Sequence, residues 1–280
     1  MLAILMTILI GFDYLKVEVP AERSGLGGAG TCIIDGYTTV DNPAGLVVDT
    51  GKMLSTSLVQ YLAGTYFGLV CYQNPPYGVA LNYFNSGTMK KTDEGGQELG
   101  TFMAQFINAT LARGFTYRNL AFGFSINLIY QHIDKYTSIA PSINTGLLYQ
   151  HNFLRLGLAI KSLGYEVKPY RDNRETLPAT IAFGGGIERD LFSGYLELEK
   201  TLKEPIVFSF GVKGRVESGF YLLIGYNSKL GQIRTNSTID FLSGGSIGLS
   251  LQVSRFYFAY SIAPHADLGL TNRLSFAVTL

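Results

Sequence analysis

Apolar and polar positions alternate with period two along most of the chain after residue 52. Between Val207 and Glu217, Phe208, Phe210, Val212 and Val216 hold one phase, while Ser209, Gly211, Lys213, Arg215 and Glu217 hold the other. Leu154, Leu156, Leu158 and Ile160 alternate in the same way with Arg155, Gly157, Ala159 and Lys161. So do Phe122, Phe124, Ile126, Leu128 and Tyr130 with Gly123, Ser125, Asn127 and Gln131. Successive side chains of a strand point to opposite faces, so each segment presents one apolar face and one polar, glycine-rich face. About fourteen such segments run from 53–61 to 271–280, and an even number suits an antiparallel sheet closed on itself as a transmembrane barrel.

The connections support the same reading, because such barrels have short periplasmic turns and longer outer loops. The longest connections, 86–100, 164–178, 229–239 and 264–270, all fall on one side. Tight turns near Arg118, His151-Asn152, Ser218-Gly219 and Ser254 fall on the other, and the connections 62–64 and 203–204 are short exceptions on the long side. The last segment carries Leu274, Phe276, Val278 and Leu280 on one face. Pairing it with the first segment would remove the exposed edges.

Composition sharpens the picture. Charged residues make up 15% of the chain, against about 25% in ordinary soluble domains. Yet no run of about eighteen apolar residues exists to form a membrane-spanning helix. A barrel reconciles the two, since its lipid-facing residues are spread through alternating strands. With no Trp, an interfacial aromatic girdle falls to Tyr and Phe, with Tyr83, Tyr130, Tyr149, Tyr195, Tyr226 and Tyr260 as candidates. The net charge of +1 gives no reason to expect nucleic acid. The two cysteines, Cys32 and Cys71, are too few for a disulfide framework and are expected to be structural or unpaired.

Literal motif matches do not lead to an enzyme. Gly25, Gly27 and Gly30 satisfy the dinucleotide-binding spacing, but no strand precedes them and no helix opening follows. Gly244-Gly245-Ser246-Ile247-Gly248 has the hydrolase-elbow spacing, but no Asp or Glu of a triad follows before His265 in the required order. His132, His151 and His265 lack metal-ligand spacing. No catalytic residue, metal or cofactor is expected.

The cluster Gly25, Gly27, Gly28 and Gly30, then Asp35, then Asn42-Pro43-Ala44-Gly45-Leu46, resembles the N-terminus of the PorV/PorQ family, relatives of the fatty-acid transporter FadL. Lys161-Ser162-Leu163-Gly164, Lys168-Pro169-Tyr170, Leu177-Pro178 and Gly225-Tyr226-Asn227 extend the likeness, which is greatest to the PorQ branch and covers the chain after Tyr14. Departures are the final Leu280 in place of an aromatic, and Val40-Asp41 where a Trp is common before Asn-Pro-Ala. The resemblance implies a 14-stranded barrel over 53–280, with 11–52 as a plug in its lumen; the apolar run 1–10 reads separately as a possible signal-peptide remnant, although it lacks a basic region and a small-residue cleavage site. Gly25, Gly27, Gly28, Gly30, Asp35, Asn42, Pro43 and Ala44 would form the plug motif. Read from the residues alone, Asn42-Pro43 equally suits an ordinary Asx turn.

The resemblance further implies protein recognition in type IX secretion, with a secreted or surface-anchored partner. Uptake of a small hydrophobic ligand, as in FadL, is the alternative. Lys90, Lys91, Asp93 and Glu94 in one long loop, and Arg171, Asp172, Arg174 and Glu175 in another, make a charged outer rim suited to a protein surface. Within the lumen, Glu197 and Glu199 are expected opposite Lys213 and Arg215 as an ion-pair ladder, with Arg155, Lys161 and Glu217 as further lumen charges. Such a ladder would disfavour a greasy conduit through that part of the barrel. Outer-membrane lipid is the expected surround.

Overall fold

A computed structural model describes residues 11–48, 51–92, 95–170, 174–231, 243–265 and 269–280. Residues 1–10 and the loop positions Asp93, Glu94, Arg171 and Asp172 lie outside the described residues. Fourteen strands form one closed antiparallel barrel. They are β1 (Met53–Gln60), β2 (Tyr66–Asn74), β3 (Tyr77–Asn85), β6 (Ala104–Tyr117), β7 (Leu120–Ile133), β8 (Tyr136–His151) and β9 (Leu154–Gly164), followed by β10 (Thr180–Glu188), β11 (Phe192–Thr201), β12 (Ile206–Glu217), β13 (Phe220–Asn227), β14 (Gly245–Val253), β15 (Phe256–Pro264) and β16 (Leu270–Thr279). Two further short strands, β4 (Met89–Thr92) and β5 (Glu98–Phe102), pair only with each other as a hairpin between β3 and β6. The barrel closes where β1 meets β16, in register from Met53↔Thr279 to Gln60↔Asn272. These fourteen strands are the predicted segments; the hairpin was not foreseen.

The phase of alternation is as read. Phe208 and Phe210 are exposed on β12 while Ser209 between them is buried. Leu58, Leu111, Ile126, Ile181, Leu196, Ile224 and Leu274 continue the outward apolar surface around the barrel. A patch that encircles a molecule is a surface for lipid, since soluble monomers rarely expose more than a few hundred Å² of contiguous apolar surface. No helix among the described residues is long and apolar enough to cross a membrane. Of the proposed girdle tyrosines, Tyr195 is the exception: it points inward, is buried, and donates its hydroxyl to Glu188.

At the end holding Met53 and Leu280, all six connections are two or three residues long. Arg118, Asn152 and Ser254 take the left-handed conformation there, with φ of 56°, 51° and 54°, which matches the twist of tight two-residue hairpins. The opposite end carries the long connections 86–103, 165–179 and 228–244. Of the connection 165–179, Lys168 pairs with Ile139 of β8 and Leu177 is buried. The Glu166 carboxylate of the same connection accepts from the Ser138 hydroxyl and, at 2.7 Å, from the Glu175 backbone N–H.

The outward assignment is testable on β12. Phe210→Arg should destabilise the protein folded in lipid vesicles by about 2 to 4 kcal/mol, whereas Ser209→Asn on the inward face should cost far less. Equal losses in a urea titration of the two variants would mean that the faces are reversed.

Candidate functional site within the barrel

The N-terminal segment 11–48 is built from short turns of helix, Asp13–Lys16, Ala21–Gly25, Thr38–Asp41 and Pro43–Val47. Pro43 favours extended backbone at the residue before it; Asn42 obeys, with φ −146° and ψ 95°, and its side-chain oxygen accepts from the Ala44 N–H at 3.2 Å. The Asn42 amide donates to Thr31 O at 2.8 Å within the segment and to Leu147 O of β8 at 3.1 Å. The Asx turn is therefore present, and it also ties the segment to the wall.

Similar bonds reach strands all round the barrel. Ser57 donates to Val19 O, Ser275 accepts from Ala21 N, and Arg273 Nε donates to Glu18 O, each at 2.8 Å. Asn227 donates to Gly27 O at 3.0 Å and Gln131 to Gly11 O at 3.1 Å. A segment that touches inward residues of β1, β7, β8, β13 and β16 occupies the lumen.

Its backbone sits on glycines of the wall. Gly114, Gly123 and Gly146 lie side by side across β6, β7 and β8, and a Cβ on Gly123 or Gly146 would collide with Pro43, Ala44 or Asn42. Gly157 and Gly184 pair across β9 and β10 beneath Thr31 and Cys32. Gly211 and Gly225 pair across β12 and β13 beneath Leu26 and Gly27. Gly27 itself has φ of 72°, and a Cβ there would strike the backbone of Tyr226. These cross-strand rows are legible in the sequence once the register is known.

Arg23 organises the segment internally. Fully buried, it grips Asp35 through Nη2 at 2.6 Å and Nε at 3.3 Å, forms an ion pair with Asp41, and donates to Gly30 O at 3.1 Å. One planar guanidinium thus holds three turns of the segment together, which the fork geometry of arginine permits and a lysine would not. The motif residues converge on it: a Cβ on Gly30 would crowd the Arg23 guanidinium, and Asp35 is its main partner. A Cβ on Gly25 would crowd Leu223 of the wall, and Gly28 turns with φ of 88°. Arg23 was not singled out by sequence, because a lone arginine between helical turns carries no motif. Cys32 and Cys71 are both buried and unpaired, and burial pushes the Cys32 thiol up to about 12.

The predicted ion-pair ladder is not formed. The register places Glu197 opposite Ser209 and Glu199 opposite Val207, while Lys213 stands opposite Ser193. The tight turn after Thr201 sets this register and keeps the acids and the cations at different heights. Most of the lumen charges have other partners. Glu197 accepts from the backbone N–H groups of Gly30 and Thr31, both at 2.8 Å, and Lys213 pairs with Glu22 of the segment at 2.7 Å. Lys161 pairs with Glu199 at 3.5 Å, and Arg155 with Glu188 at 2.7 Å. Arg215 and Glu217 are exposed toward the short-turn rim. In the long loops, Lys90 pairs with Glu98 and Lys91 with Asp134, while Arg174 and Glu175 are exposed.

Part of the lumen is apolar, against the polar-inside expectation. Phe67, Leu69, Phe84, Phe106 and Ile129 face inward and pack with Val19, Tyr37 and Leu177. Tyr14 of the segment packs on Phe106 with ring centroids 4.5 Å apart and the planes tilted by 40°. The signal was apolar residues in both phases of β2 and β6, as in Phe67, Leu69 and Val70.

Among the described residues, two cavities of similar size flank the segment, one at each end, and a smaller one of about 120 Å³ lies beside Asp41, Lys161 and Glu199. The cavity at the long-loop end measures about 500 Å³ and is lined mainly by apolar surface, with Val17, Tyr61, Leu62, Leu230 and Ala263 around Arg273. Beside Arg273, His265 is buried and its imidazole is pulled down to about 4, chiefly by burial and then by the neighbouring guanidinium; it is neutral at physiological pH. Lys16 and Lys229 at this end are both tied to Glu204. The cavity at the short-turn end, about 480 Å³, is polar and includes Glu22, Asp35, Lys213, Arg215 and Tyr221.

No protein-family model and no curated protein matches this chain. Among solved structures it is similar to the P. putida toluene transporter TodX, with a TM-score of 0.62 and 10% identity over 93% of this chain and 98% of that one. A TodX deltaS2 mutant gives a TM-score of 0.65 and 11% identity over 93% and 98%. The deltaS2S3 mutant, described as a monoaromatic hydrocarbon channel, gives 0.68 and 10% over 96% and 100%. The chain is an outer-membrane β-barrel. At these identities the likeness speaks for the fold, and these neighbours are channels.

The seating of the segment can be broken in two independent ways. Gly225→Leu should push Leu26 and Gly27 off the wall, and Arg23→Met should leave the half-buried Asp35 and Asp41 without their cation and so loosen the turns that Arg23 holds together. Both variants should keep heat-modifiable gel migration, because the strands pair without the segment. Both should raise conductance in planar bilayers, and unchanged conductance would mean that the segment does not occlude the lumen.

Proposed function

We propose that this protein conducts small hydrophobic compounds across the outer membrane without catalysing a reaction, and that residues 11–48 form the plug that gates passage. The observation that carries this reading is the cavity of about 500 Å³ at the long-loop end, between plug and wall, whose lining is mainly apolar. Its size suits a small-molecule site, and although Asp13, Lys16, Glu18, Lys229, His265 and Arg273 are among its lining residues, most of the surface it exposes is apolar. The Arg273 guanidinium beside neutral His265 offers one polar anchor in that surface. The TodX structures, a toluene transporter and a monoaromatic hydrocarbon channel by description, support this class of solute. The lumen charges do not oppose it, since Glu197 and Lys213 are engaged by the plug.

Uptake in cells tests the proposal. Cells whose outer membrane carries the wild-type protein should take up a labelled monoaromatic hydrocarbon faster than cells without it. Leu62→Asp combined with Leu230→Asp should slow that uptake about tenfold or more, since each removes roughly 1.5 kcal/mol or more of apolar contact. Unaltered uptake in the double variant would sink the reading.

A second reading, protein recognition of the PorV/PorQ type in type IX secretion, is favoured by the β4–β5 hairpin, whose Lys90, Lys91 and Glu98 are exposed at the long-loop end. A secreted or surface-anchored protein would meet these charges first, together with Arg174 and Glu175. Deleting 89–102 should then abolish recovery of cargo from outer-membrane extracts while leaving hydrocarbon uptake intact.

A further inference from the structure

The arginines at the short-turn end share an arrangement that neither the plug nor the cavities explain. The Arg113 guanidinium lies over the rings of Tyr77 at 5.2 Å and Phe115 at 4.8 Å. Arg118 lies over Tyr117 at 5.5 Å, Arg189 over Phe153 at 3.9 Å, and Arg255 over Phe256 at 5.3 Å. All of these rings are exposed. Phe115 and Phe256 lie in phase with the lipid-facing residues Leu111 and Phe258. The pairs are spread around the barrel, on β3 and β6 and on the turns β6–β7, β8–β9, β10–β11 and β14–β15. Among the described residues, none of the four arginines has a carboxylate within ion-pair distance.

The long-loop end is built differently. Its cations are mostly lysines: Lys90, Lys91, Lys16 and Lys229 are each neutralised by an acid, and Lys135 lies over the ring of Tyr136 at 5.5 Å. The asymmetry has a chemical meaning. A guanidinium held against a ring by cation–π attraction is not taken up by a carboxylate, and its planar N–H fork can meet a phosphate in a bidentate manner. Aromatic rings at the membrane interface hold that fork at the depth of the lipid headgroups.

We propose that Arg113, Arg118, Arg189 and Arg255 form a belt that binds the phosphates of anionic phospholipid in the leaflet at the short-turn, periplasmic side. The belt anchors the barrel at a fixed depth in that leaflet. Arg189 and Arg255 also border the polar cavity at this end, so bound headgroups would crowd its rim.

Native mass spectrometry of the full chain, released from mixed micelles of phosphatidylglycerol and phosphatidylcholine, tests the belt. The wild-type protein should retain phosphatidylglycerol preferentially, by about fivefold for each engaged arginine. Changing all four to Gln should abolish the preference, and changing all four to Lys should weaken it, since charge is kept but the planar fork is lost. Lys90→Gln with Lys91→Gln, at the other end, should leave it unchanged. Equal retention of the two lipids by the wild-type protein would overturn the proposal without recourse to any variant. A preference that survives the four Gln substitutions, or one that 10 mM-range inorganic phosphate removes as readily as the substitutions do, would overturn it as well.

Discussion

Lipid offers no hydrogen bonds to a backbone, so every strand in the hydrocarbon layer must pair on both sides. The rest of this structure follows from that demand. The ladder between β1 and β16 meets it by joining the first and last strands of the barrel over eight residue pairs. Once the ring is closed, side chains divide by phase alone. One phase is given to lipid and must be apolar, and the other is given to a lumen whose contents are free to vary.

What fills the lumen is the chain's own N-terminal segment, held by two different kinds of contact. Where its backbone must approach the wall, the wall is glycine in adjacent strands, as at Gly211 and Gly225 beneath Leu26 and Gly27. Where it must stay put, it is hydrogen-bonded by wall side chains, as at Glu197, Asn227 and Arg273. The inward charges therefore act chiefly as partners of the segment. Burying Arg23 against the half-buried Asp35 and Asp41 is costly in desolvation, and such groups specify one arrangement more than they add net stability. Here that arrangement gathers the segment's separate turns into one body.

The two ends of the barrel present different chemistry to their surroundings. Long loops, a projecting hairpin and an apolar cavity mark one end. Short turns, a polar cavity and arginines set over aromatic rings mark the other. A barrel that separates its ends in this way is oriented in its membrane by construction, because tight turns cost little backbone entropy on one side while the other side is free to grow.

The strand count, the outward face and the side of the long loops were all readable from the chain, because a period of two is local and each strand reports its own phase. The N-terminal motif, with Asn42-Pro43 and the glycines around Arg23, was also visible as a candidate for the lumen. The partners of the charges were not. Whether Lys213 meets Glu197 or Glu22 depends on the register of β11 against β12 and on a segment nearly two hundred residues away in sequence, and no local pattern carries that information. The apolar interior around Phe67, Phe84 and Phe106 was hidden for the same reason, since an inward phase becomes dry only when Tyr14 and Leu177 arrive to cover it. Local alternation determined the barrel; contacts between distant parts of the chain decided what its interior holds.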